Sequence, residues 1–189
     1  MRLPALLVFL LVLGLAGAAA QAQTRPTTAT LGVLDPTTTT LSVSIAIPVQ
    51  DGKRFIQYSA DGHSFRVVVR NVSARPVNLW TPKYSWGYAN LSFEVRDASG
   101  LVRTVQKAER EWRKNFPDSC TLLPGDDMVL DVDFTSSDWS GAPRPSTGTK
   151  FAVVSMRAVY QILPDEESQK LKVWTGRVES PWREYTLVP

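Results

Sequence analysis

At 189 residues, 43% of them hydrophobic and 21% charged, the chain has the composition of a globular protein with one domain and a short extension. Its net charge is only +3, and the densest basic stretch, Lys107 to Lys114, is diluted by Glu109 and Glu111. That argues against the one-sided basic face that nucleic-acid binding requires. With Cys120 as the single cysteine there is no internal disulfide, so a packed core must hold the fold.

The chain opens with Arg2, continues with an apolar run from Leu3 to Ala20, and reaches small residues ending in Ala20-Gln21-Ala22. Charge, apolar stretch and small-x-small site make the three-part secretory pattern, which predicts a signal peptide over 1–22, with Ala20 as the alternative cut. The apolar run is at the lower edge of the roughly 20 residues needed to span a bilayer. The expectation is therefore an exported protein, periplasmic or extracellular, with no integral membrane segment after cleavage. Residues 23–40 are rich in Thr and Pro without periodicity and read as a flexible lead-in.

From Leu41 the pattern becomes period two. Leu41, Val43, Ile45, Ile47 and Val49 alternate with small or polar residues, which places one set on one face of a strand. Phe65, Val67 and Val69 repeat the pattern, and Val77 to Trp80 reads as a short strand after a turn. Leu91, Phe93 and Val95 lead through Asp97 to Gly100 into Leu101 to Val105, a hairpin. Ser119 to Leu123 is strand-like, and Cys120 within it is expected to be a buried apolar thiol. Pro124-Gly125 turns into Met128, Leu130, Val132 and Phe134. Phe151 to Ile162 is a long β-rich run, Gly176 is flanked by two short ones, and Glu184 to Val188 closes the chain. Helix is expected at most over Gln106 to Asn115, for one or two exposed turns. The whole predicts an all-β, antiparallel immunoglobulin-like sandwich of about eight or nine strands over 41–189.

Three stretches carry a family resemblance. Phe65 to Leu79 resembles the strand, N-x-S turn and P-V-x-L strand of bacterial exported immunoglobulin-like domains. Leu91 to Gly100 resembles their F-x-V-x-D-x-x-G hairpin, and Leu122 to Asp126 their L-x-P-G-E turn. Val173 to Pro181 looks like their final hairpin. The same order is similar to that of the bacterial intracellular proteinase inhibitor family, which implies, as a second reading, inhibition of a protease through loops. These motifs mark turns and pleats, so they imply fold more than function.

Catalytic chemistry finds little footing. His63 is the single histidine and sits in a turn with Asp61 and Ser64, where a solvated loop residue is expected. One His and one Cys are too few for zinc. Asp126, Asp127, Asp131 and Asp133 are a potential calcium set, but the last two lie along one strand face about 6.6 Å apart, and an outward polar face is expected instead. No cofactor and no metal site is expected. Asn71-Val72-Ser73 and Asn90-Leu91-Ser92 fit the glycosylation pattern, which has no consequence in a bacterium. The best candidate is the aromatic connection holding Trp80, Tyr84, Trp86 and Tyr88. Flat rings on a loop suit stacking on sugars or protein contacts, or they cap the end of the core. The expectation is a non-enzymatic exported binding or structural module whose partner is a protein or a polysaccharide.

Overall fold

The computed structural model describes residues 39–58, 65–97, 99–145 and 151–188. The signal-like segment 1–22, nearly all of the Thr/Pro-rich lead-in, and His63 lie outside these. Among the described residues there are thirteen strands and two short helices. In chain order they are β1 (Leu41–Ala46), β2 (Val49–Gln50), β3 (Lys53–Gln57), β4 (Phe65–Asn71), β5 (Val77–Trp80), α1 (Ser85–Tyr88), β6 (Leu91–Arg96) and β7 (Val102–Lys107). There follow β8 (Ser119–Leu122), β9 (Asp127–Val132), β10 (Trp139–Ser140), β11 (Ala152–Ile162), α2 (Glu166–Lys170), β12 (Gly176–Glu179) and β13 (Arg183–Val188). The chain is mostly β, as expected, with more strands than the alternation showed.

Three sheets result. One has the order β1-β4-β9, a second pairs β5 with β8, and the largest runs β10-β7-β6-β11-β13-β3-β2, with β12 also on β11. The largest sheet is mixed: β13 and β3 pair in parallel, Leu187 opposite Ile56. This corrects the purely antiparallel expectation. Its physical cause is a sheet change near Pro48, a residue without an N–H to give a ladder. β1 pairs with β4, whereas β2 and β3 form a hairpin on the edge of the large sheet beside the last strand. Asp51 and Gly52 turn that hairpin with φ of 50° and 74°, the left-handed pair that a two-residue loop requires.

Alternation delivers the core. Val67 and Val69 of β4 face inward with Met128 and Val132 of β9, while Arg66 and Arg70 face outward and pair with Asp131 and Asp127 at 3.0 and 2.7 Å. Asp126 accepts from the Leu123 N–H and Asp133 from Thr135, so the four aspartates hold turns and cross-strand pairs. Phe65 meets Phe93 of β6 edge-on at 5.6 Å, and Phe134 and Trp139 close the ring cluster. Buried residues of the two larger sheets therefore belong to one apolar core. Asn71 is fully buried: its amide donates to the carbonyls of Arg75 and Leu122, and its oxygen accepts from Ser73. The N-x-S stretch is thus a turn whose Asn side chain is committed. Cys120 is half-buried rather than fully buried, and desolvation raises its thiol pKa.

Two local expectations change. Residues 108–118 are irregular rather than helical, and β7 runs on to Lys107 before them. Helix is found instead at α1 and at α2, and at α2 Asp165 and Ser168 form a reciprocal capping box. Likewise Val173 to Pro181 is no hairpin: β12 pairs with β11, and Val173 makes only an isolated bridge to Asn78. β12 and β13 run along the same edge of β11, separated by a bulge in which residues 180–182 stand opposite 157–158. Pro181 has no N–H to give there. Ser180 bridges the gap, donating its N–H to the Ala158 carbonyl and accepting the Ala158 N–H on Oγ, both at 2.9 Å. The bulge projects Trp182 over Arg157 and Arg96.

Candidate functional site

The aromatic connection begins where β5 ends. Thr81 fixes its start, with its N–H and hydroxyl both donating to Asp118. The chain then turns through Pro82 and Lys83 into α1, whose first turn closes through the Tyr84 carbonyl. Gly87 is required by close approach: a Cβ there would lie 2.1 Å from the Thr81 carbonyl oxygen. Packed this tightly, α1 sends its rings in different directions.

Trp80 is 2% exposed and belongs to the core, out of reach of any partner. Trp86 is half-buried against that core, 6.3 Å from Trp80. Tyr84 and Tyr88 are also half-buried but face the irregular segment 108–118. Tyr84 packs on Phe116 at 4.4 Å, and Tyr88 meets Trp112 edge-on at 5.4 Å. The four sequence candidates are thus not one exposed patch. Asn115 ties the two segments together, exchanging hydrogen bonds with Ser85.

Cations complete the corner. The Arg110 guanidinium lies 4.3 Å from the Tyr88 ring and 3.9 Å from the Trp112 ring. Lys83 lies over Tyr84, and Lys107 over both Tyr88 and Trp139. Burial lowers the Lys107 pKa, opposed by Asp138, whose carboxylate is 3.7 Å away. Burial likewise raises the Tyr88 phenol pKa, and the hydroxyl is enclosed without a hydrogen-bond partner among the described residues. Sequence reading does not bring Arg110, Lys107, Trp112 or Phe116 to this corner. Their meeting with α1 depends on long-range placement, which spacing does not encode.

The connection divides two clefts. One, of about 410 Å³, is lined by Lys83, Lys107 and Arg110 together with Tyr88, Leu91 and Trp139. The other, of about 610 Å³, holds Trp86 beside Asn90, Gln106 and Gln161. A third hollow, of about 540 Å³, lies at the far edge of the large sheet beside Phe55, Phe151 and Trp182.

The large sheet's outer face carries the densest charge. Glu94 of β6 accepts from Arg157 of β11 at 2.6 Å and from Arg177 of β12 at 2.8 Å. Glu179 accepts from both arginines as well, the Arg177 contact being 2.7 Å. Burial alone would raise the Glu94 pKa, but hydrogen bonds from the two arginines outweigh it and hold the carboxyl below its ordinary range. An ionised, saturated carboxylate is a poor general acid. Among the described residues no cluster of three or more His, Cys, Asp or Glu could hold a metal ion. No described helix is long and apolar enough to cross a membrane. No family model matches the chain, and neither a curated protein nor a solved structure matches it.

Proposed function

We propose that this chain is an exported, non-catalytic module of a bacterial envelope that binds a protein or polysaccharide partner at the corner between α1 and residues 108–118. Its two larger sheets would form an immunoglobulin-like sandwich, a reading supported by the Phe65–Phe93 contact between them. Export is supported by the charge, apolar run and small-x-small site of residues 1–22.

The observation that carries the binding reading is the composition of the corner. Tyr84, Tyr88, Trp112 and Phe116 gather there with three cations, Lys83, Lys107 and Arg110, lying over them, and Phe116 is 52% exposed. Aromatic rings and arginine on loops anchored to a rigid scaffold are the residue types that carry contact energy. The test is retention of the purified chain on immobilised envelope polysaccharides and envelope proteins. The Tyr84→Ala/Phe116→Ala variant, checked for folding by circular dichroism, is expected to lose at least tenfold in retention, because large aromatic side chains carry a disproportionate share of contact energy. Equal retention of variant and parent would overturn the site, and no retention of either would overturn the binding reading.

A further inference from the structure

Resting on that binding reading, we infer that the 410 Å³ cleft beside α1 is a subsite for a carboxylate-bearing sugar unit of an acidic polysaccharide. Its volume is within the range of small-ligand sites, about 300–1,000 Å³. Its walls differ in chemistry. Leu91 and Trp139 are buried and apolar, while Lys83 and Arg110 are exposed. A pyranose ring has the same division, with a C–H face that suits an apolar floor and polar substituents at its rim. A uronic acid adds one carboxylate to that rim.

Arg110 supplies the directional element. Two rings pack about its guanidinium, their centroids 4.3 and 3.9 Å away, and neither neutralises the charge carried by its N–H donors. Those donors form a fork that matches a carboxylate bidentately. Among the described residues neither Arg110 nor Lys83 has a carboxylate within ion-pair distance, in contrast to Arg66, Arg70, Arg157 and Arg177. Lys107 is held by Asp138 only at 3.7 Å, which leaves its charge partly available to the cleft. One carboxylate, Asp131, also lines the cleft, and its Oδ1 is engaged by Arg66 at 3.0 Å, which offsets its repulsion of an incoming anion. Three cations therefore converge on an amphipathic hollow that has one neutralised acid. A neutral glycan would leave those charges unused, and a nucleic acid would need a wider basic face than a net +3 chain provides.

The experiment measures affinity of the full chain for polygalacturonate by isothermal titration at low salt. Fully methyl-esterified polygalacturonate serves as the uncharged polymer with the same backbone. The expected result is binding to the acid form alone, weakened at raised salt. The Lys83→Gln/Arg110→Gln variant should bind at least tenfold more weakly while its melting transition stays close to the parent's. Equal binding of the esterified polymer, equal binding by the variant, or no binding of the acid form would each overturn the inference. No binding of the acid form together with retention of the chain on another envelope partner would remove the acidic-sugar assignment while leaving the binding reading in place.

Discussion

Arg157 and Arg110 both lie over a tryptophan, yet they serve opposite ends. Arg157 sits 4.9 Å from Trp182 and is also bound by Glu94 and Glu179, with Arg177 completing the ring of charges. Arg110 sits 3.9 Å from Trp112, has Tyr88 beside it, and meets no carboxylate within ion-pair distance among the described residues. The first arrangement is electrostatically closed. Each charge has a partner inside the protein, so the cluster can stitch β6, β11 and β12 together but has little left for a ligand. The second is open: rings orient the cation without neutralising it. Stacking is thus a means of positioning, and whether a carboxylate is present decides between a structural and a recognition role.

The largest expected effect breaks the open corner at its base. Gly87→Ala places a methyl 2.1 Å from the Thr81 carbonyl oxygen, a backbone atom that cannot swing aside. Forced overpacking of this kind costs about 1–3 kcal/mol, and the shift of α1 should separate Tyr84 from Phe116 and Tyr88 from Trp112. Urea unfolding with tryptophan fluorescence checks both consequences. An unchanged midpoint would show that α1 is not seated as described.

A somewhat smaller effect tests the closed cluster. Arg157→Met removes the guanidinium shared by Glu94 and Glu179 while keeping most of the aliphatic packing. Breaking a buried charge pair costs about 3–5 kcal/mol. Arg157 and Glu94 keep 22% and 19% of their side chains exposed, and solvent screening brings the expected loss down to about 2 kcal/mol. The pH dependence sharpens the same point. Glu94 has its carboxyl pKa lowered on folding, so its contribution to stability is present above the ordinary glutamate range, about 4.3, and is lost as pH falls through the folded value. The parent should lose stability on acidification below that range, and Arg157→Met should lose less. Identical acid profiles would contradict the assignment.

The sequence shows the closed region better than the open one, for a physical reason. Alternation at period two identifies β1, β4, β6 and β9, because burying one face of a sheet imposes that spacing directly. It also places Glu94 opposite the inward Phe93 and Val95, though not its partners on β11 and β12. Two local signals were legible and overlooked: Asp51-Gly52 between β2 and β3, and Asp165 three residues before Ser168 at α2. The parallel β3–β13 pair and the two-residue β10 depend on contacts between distant segments and leave no local pattern. The aromatic connection fails for a related reason. Ring composition shows that Trp80, Tyr84, Trp86 and Tyr88 matter, but not which turns inward. Trp80 is buried because it ends β5, and the accessible rings take their neighbours from residues 108–118. That segment reads as a charged helix in isolation, and its Arg110 acquires meaning only beside Tyr88.

The contrast between the two arginines is tested most directly by the affinity of Arg110→Gln and Arg157→Gln for polygalacturonate, measured at a temperature where both variants are folded. The account predicts at least a tenfold loss for Arg110→Gln, with a stability change of no more than about 1 kcal/mol, the scale of exposed cation–π contacts. It predicts parental affinity for Arg157→Gln despite its lower stability. Parental affinity in Arg110→Gln, or an equal loss in both variants, would contradict it.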